Sequence, residues 1–332
     1  MVLRTLSATV VMTALLFTSV VQAGTAWESY KARFLMPDGR IVDTGNGNVS
    51  HTEGQGYAML MAVANNDRPA FDKLWQWTNG HLKNKATGLF YWRYNPVAPD
   101  PIADKNNASD GDVLIAWALL KAQQRWQDNS YGAASDAITQ AIVKYTVIDF
   151  AGYRVMLPGQ NGFNLNTRVN LNPSYFIFPA WQDFARRSYL KVWQELMRDG
   201  QTLIGKMAWG EAQLPTDWVA LSADGNLSPA QEWPPRVSYD AIRIPLYIRW
   251  QNAQSPLLQP WRQWWKQFPR QQTPAWINVV NGERAPYNMN AGLLAVRDLT
   301  MGESQSEPQI TAQDDYYAAS LKMLVWMAAQ GN

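Results

Sequence analysis

VLIAWALLKA, residues 113–122, is apolar on nearly every side of the helix it would form. A helix with no polar face is buried, so this segment belongs inside the molecule. The segment after it, 131–149, is amphipathic, with Ile138, Ile142 and Tyr145 on one face. The same pairing of an apolar with an amphipathic segment recurs along the chain. It appears at 56–65 with 69–82, 172–186 with 189–206, 241–250 with 256–268, and 290–299 with 313–329. Adding 27–34 gives about eleven or twelve helices, with buried inner ones alternating with half-exposed outer ones. No sequence repeat accompanies the alternation, and an open solenoid would keep a regular repeat length and capped ends. The expected fold is therefore all-α, a closed toroid of helical hairpins. Short β segments are expected near Tyr91 and Val219.

The first residues, MVLRTLSATVVMTALLFTSVVQAG, have the form of a secretory leader. Arg4 supplies the positive charge, an apolar run reaches Val21, and Val21-Gln22-Ala23 is a small-residue cleavage signal. Residues 1–23 are read as the signal peptide and 24–332 as one domain, exported to the periplasm or beyond. No second apolar run is long enough to span a bilayer, so no membrane attachment is expected after cleavage.

Composition excludes several classes. Cysteine is absent, which removes thiolate metal sites and cysteine nucleophiles. The 29 basic and 27 acidic residues nearly balance, so nucleic acid is not an expected partner. The two histidines, His51 and His81, form no HExxH-type pair, and His51 is read as a loop residue. No Gly-x-Ser-x-Gly elbow or phosphate loop occurs. Neither metal nor cofactor is expected. The 17 Trp and 14 Tyr are unusual. Most suit a core, but YWRY (91–94) and WRQWW (261–265) set aromatics beside polar residues, as surfaces that stack on sugar faces do.

Three inner helices begin alike: Thr52-Glu53, Ser109-Asp110-Gly111-Asp112 and Ser238-Tyr239-Asp240. Each reads as a Ser or Thr cap followed by an acid in the first turn, and Thr52 to Gln55 and Ser109 to Asp112 have capping-box spacing. Helix N-termini favour acids, so capping accounts for any one of them, and Asp112 is assigned mainly to structure. In a toroid the inner helices run parallel, which would bring all three carboxylates to one cleft. Gly54, Gly56 and Gly111 are read as leaving room there for a ligand. Two suitably spaced carboxylates suffice to cleave a glycosidic bond, one of them protonated. A helix N-terminus lowers a carboxyl pKa, whereas neighbouring negative charge and burial raise it.

TEGQGYAM (52–59), ASDGDVLIAWALLKAQQRW (108–126), NPSYF (172–176) and SYDAIR (238–243) together closely resemble the motifs of glycoside hydrolase family 8. The resemblance spans about residues 27–325. It is strongest to bacterial endoglucanases, including the periplasmic type of cellulose synthesis operons. It implies an (α/α)6 barrel, one catalytic domain, and endo-hydrolysis of β-1,4-glucan chains (cellulose, cello-oligosaccharides and soluble β-glucans) with inversion. It implies Glu53 as proton donor, Asp240 as the base that activates water, and Asp110 at the central sugar subsite, where signature-based descriptions of the family name a nucleophile. Because inversion forms no covalent glycosyl intermediate, the expected role of Asp110 is to bind and distort the ring. It also implies a stacking role for Trp92, a cleft-lining Tyr175, and Tyr239 and Arg243 flanking the base. Tyr316 and Tyr317 are further candidates, and a monomer is expected. Chitosan, mixed-linkage glucan or xylan as substrate, and a non-catalytic glycan-binding protein, remain the alternatives.

Overall fold

The computed structural model describes residues 25–331, so the leader reading of 1–23 lies outside the described residues. Eleven α-helices occur among the described residues. They are α1 (Thr25–Phe34), α2 (Thr52–Ala64), α3 (Arg68–His81), α4 (Ser109–Trp126), α5 (Asn129–Thr146) and α6 (Phe178–Ser188). Then follow α7 (Lys191–Ile204), α8 (Arg243–Gln251), α9 (Gln259–Trp265), α10 (Ala291–Met301) and α11 (Tyr316–Gln330). Helix α4 holds the apolar run and is buried from Ser109 through Leu120. Burying each large side chain there contributes roughly 1.5–3 kcal/mol. The Trp117 indole within that run stays satisfied by donating to Asp183 Oδ2 at 2.8 Å.

Packing closes a ring. Helix α2 lies against α4, α4 against α6, α6 against α8, α8 against α10, α10 against α11, and α11 back against α2. Outside it, α3, α5, α7 and α9 pack on α2, α4, α6 and α10, and α1 packs on α11. This is an (α/α)6 barrel in which residues 302–315 run without a helix where a sixth outer helix would lie. Segment 313–329 was expected on the outside. It is instead inner, because Ala318, Leu321, Leu324, Val325 and Ala328 bury it nearly all round.

Glycines set how closely the parallel inner helices approach. A Cβ on Gly54 would run into the Tyr316 hydroxyl of α11, and one on Gly111 into Thr52 of α2. Gly56 is likewise filled by Leu114. These glycines therefore make room for neighbouring helices, not for a ligand, which corrects the expectation above.

Short antiparallel strands frame the N-terminal ends of the ring. β1 (Ser50–His51) pairs with β2 (Arg93–Tyr94), with His51 opposite Arg93. β3 (Val147–Phe150) pairs with β4 (Tyr153–Met156), so the amphipathic segment expected to reach 149 turns into strand after Thr146. β5 (Arg168–Leu171), β6 (Val219–Ser222) and β7 (Leu227–Pro229) form one sheet, and β8 (Arg236–Val237) pairs with β9 (Ile277–Asn278). Strands near Tyr91 and Val219 match the sequence reading. The segment expected as helix from 172 opens with a 3-10 turn, Pro173–Tyr175, before α6.

Candidate active site

Glu53 and Asp110 stand in the first turns of α2 and α4, at the same end of the barrel. Neither helix is capped as its sequence suggests. The residues preceding them are His51 and Ala108, without side-chain cap bonds. Gln55, placed at N3 of a capping box, instead accepts from the Ile41 N–H at 2.6 Å and donates to Thr78 Oγ1 at 2.8 Å. The Ser109 hydroxyl donates to the Leu157 carbonyl at 2.7 Å. Asp112 accepts from the Phe90 N–H at 2.9 Å and from Asn107 Nδ2 at 2.8 Å, tying down the segments on either side of Trp92. Asp240 is not in a helix at all; it sits in the turn between β8 and α8. Tertiary partners have taken over the side chains of Gln55, Ser109 and Asp112, whereas the Thr52 hydroxyl is buried without a hydrogen-bond partner among the described residues.

The cleft is lined by His51, Thr52, Glu53, Trp92, Ala108, Asp110, Tyr175, Asp240 and Arg243. Six of the nine residues expected at the site therefore share one cavity. The larger hollow at the opposite end, lined by Leu60, Val63, Lys121 and Met327 among others, presents no carboxylate. Tyr239 and Tyr317 stand beside the cleft. The Tyr317 hydroxyl donates to the Tyr239 carbonyl at 2.5 Å and accepts from Arg243 Nη1 at 2.9 Å, so it braces the turn and the guanidinium. Tyr239 is exposed on the rim and donates to the Tyr287 hydroxyl at 3.5 Å. Tyr316 is buried over Gly54 and does not reach the cleft.

Arg243 ties the acids together. Its Nη2 lies 3.2 Å from Glu53 Oε2 and 3.0 Å from Asp240 Oδ1, and it donates to Ser174 Oγ at 3.0 Å. Burial alone would lower the Arg243 pKa, but the charge of Glu53 and the surrounding phenols and Asp240 push it well up, so the cation is permanent. Asp110 goes the other way. Burial first, then the negative charge of Glu53, raises its pKa well above the usual carboxylate range, and it shares a hydrogen bond with Glu53. The Glu53–Asp110 pair thus holds a proton next to a fixed cation.

Asp240 has a second anchor, Asn172, whose Nδ2 donates to Oδ2 at 3.1 Å. Trp92 presents its indole beside the acids, stacked on His51 at 5.8 Å and 9° and held by Nε1 donating to Asp104 Oδ2 at 2.8 Å. His51, read from sequence as a loop residue, is therefore part of the cleft wall. Burial lowers its pKa, against the pull of Glu53 and Asp43, so the ring stays neutral. Asn172 and Ser174 were also missed as site residues, although they lie inside the quoted NPSYF motif. Asp217, which accepts from the Ser238 N–H and hydroxyl, was missed entirely. No local pattern marks it out in LPTDW (214–218).

Residues 2–331 match the family described as glycosyl hydrolases family 8. The chain is 65% identical over 313 residues to an endoglucanase of Cellulomonas uda, a match covering 94% of this chain and 87% of that one. Among solved structures, a family 8 endoglucanase from Klebsiella pneumoniae superposes with a TM-score of 0.92 at 69% identity, covering 93% of this chain and 99% of that one. An endo-β-1,4-glucanase of the same family from an Achatina fulica gut metagenomic library gives 0.92 at 70% identity, covering 93% and 98%.

Proposed function

The chain belongs to glycosyl hydrolase family 8 and is an endo-β-1,4-glucanase, and we propose that Glu53 is its general acid, Asp240 its general base, and Asp110 the partner that keeps the acid supplied with a proton. The observation that carries this division is the shared Nη2 of Arg243, which holds Glu53 and Asp240 on two sides of one cleft. Glu53 protonates the glycosidic oxygen, and the electron pair of the breaking C1–O bond stays with that oxygen. A water attacks C1 from the opposite face and gives its proton to Asp240. Configuration inverts and no covalent intermediate forms. Asp110 binds the sugar at the central subsite while its proton backs Glu53. Trp92 offers a flat face for a neighbouring glucosyl ring.

Inversion needs the two carboxyl groups roughly 6.5–9.5 Å apart, with water and sugar between them. Arg243 Nη2 touches one oxygen of each carboxyl, at 3.2 Å on Glu53 and 3.0 Å on Asp240, so the guanidinium sets their separation. A complex with an uncleavable thio-linked cello-oligosaccharide is expected to show Glu53 against the bridging atom and Asp240 still on Arg243. Proton NMR of the earliest product, before mutarotation, is expected to show the α-anomer. A β-anomer means retention and overturns the role given to Asp240.

All the acids come from one chain, and the enzyme acts as a monomer that residues 1–23 direct across the inner membrane. N-terminal sequencing of the exported protein is expected to begin at Gly24.

A further inference from the structure

Asp240 is carried by a turn, residues 238–242, and no local cap holds that turn. Ile242, which precedes α8, makes no side-chain cap bond. The donors of the turn converge instead on a carboxylate more than twenty positions earlier. The Ser238 N–H donates to Asp217 Oδ1 at 2.9 Å, and the Ala241 N–H donates to the same oxygen at 2.8 Å. The Ser238 hydroxyl donates to Oδ2 at 2.5 Å. These two residues bracket Asp240. Asp217 is itself fixed: its N–H donates to the Arg236 carbonyl at 2.8 Å. Its neighbour Trp218 is stacked between Trp233 at 4.2 Å and Phe163 at 5.7 Å.

On the reading that Asp240 is the base, we infer that Asp217 is a positioning residue that fixes the backbone on both sides of it and so aims its carboxylate at the attacking water. Arg243 and Asn172 hold the Asp240 carboxylate. The peptide that carries it is held on its carbonyl side by the Tyr317 hydroxyl on Tyr239 and by the bonds from the Ile242 and Arg243 N–H groups to Ser238 and Asp240. Without Asp217 the Ser238 and Ala241 N–H groups lose their acceptor, and the turn loosens on its N–H side. Asp217 is absent from the cleft lining, so it does not touch the substrate. The packing is tight enough that burial and the charge of Asp240 push the Asp217 pKa to about 7, against the bonds from Ser238 and Ala241.

The test compares Asp217→Ala, Asp217→Asn and Asp240→Asn on cellopentaose, with melting temperatures measured alongside. Misplacing a reacting group by about 1 Å can lower the rate about 10²-fold. Asp217→Ala is therefore expected to lose about that much in kcat while KM stays within about twofold, since the stacking faces are untouched. Asp217→Asn keeps an acceptor for both N–H groups and is expected to recover most of the loss. Asp217→Ser keeps the site polar but falls short of the turn, and it reads the same quantity if the alanine variant does not fold. Folded Asp217→Ala or Asp217→Ser protein with unchanged kcat overturns the inference, as does an Asp217→Asn variant as slow as Asp217→Ala. An active Asp240→Asn enzyme instead overturns the assignment of the base, whatever Asp217 does.

Discussion

Replacing Arg243 by Met removes one buried cation from among three carboxyl groups while keeping most of the volume. The Arg243 side chain is 5% exposed, against 18% for Glu53 and 32% for Asp240. At an effective dielectric near 20, each contact of about 3 Å corresponds to roughly 5 kcal/mol of attraction. Solvent reaches Asp240 and screens much of its share. Breaking a buried pair by deleting one partner costs about 3–5 kcal/mol, and that is the expected loss of stability near pH 7.

Urea unfolding of parent and Arg243→Met at pH 7.5 measures this directly. The kcat on cellopentaose should fall as well, because the contact that Glu53 and Asp240 share is gone. Arg243→Lys should repair little of this, since one ammonium cannot serve Glu53, Asp240, Ser174 and Tyr317 together. A variant that loses less than about 1 kcal/mol at pH 7.5 and keeps the parental kcat would refute the bridge as the organiser of the site.

Glu53→Gln should fold normally, because Glu53 caps nothing, and should lose roughly 10²- to 10⁴-fold in kcat on unactivated cello-oligosaccharides; steady-state assays decide it. Trp92→Ala should weaken oligosaccharide binding by roughly 1–3 kcal/mol, by analogy with base-on-aromatic stacking, with little change in melting temperature; calorimetry on an inactive background measures it. Asp112 is buried with its pKa pushed up by that burial to about 7. Its protonated form stabilises the fold below about pH 4, and that contribution is lost as pH rises through about 7, so the fall in urea midpoint over this range should shrink in Asp112→Asn.

The inner helices were legible because burial on every side leaves a mark that no partner is needed to read: 113–122 has one charge, Lys121, near its far end. The acids were legible for a different reason, since Glu53, Asp110 and Asp240 each lie in a short motif that keeps its residue types together. The capping boxes misled because a Ser or Thr with an acid or amide three residues on has the same spacing whether the donors are met locally or across the fold. At Gln55 and Asp217 they are met across the fold. The glycines misled for a related reason. A missing side chain says that something approaches, and sequence does not say whether it is sugar or the Tyr316 ring. Helix α11 was placed outside because strict alternation was assumed, while the chain crosses 302–315 without an outer helix.

The two carboxyls proposed as acid and base differ in how firmly they are held. Asp240 has Arg243 on one oxygen and Asn172 on the other, and its backbone is clamped through Ser238 and Ala241. Glu53 has only the end of Arg243 and the Asp110 carboxyl. Glu53 is therefore the carboxyl with more freedom to follow the glycosidic oxygen of a bound chain, and Asp110, whose pKa burial and the charge of Glu53 push well up, lies beside it. On the proposed roles, that is the arrangement an inverting pair needs: a mobile acid next to a group that carries a proton, and a base fixed in place by a cation, an amide and a clamped turn.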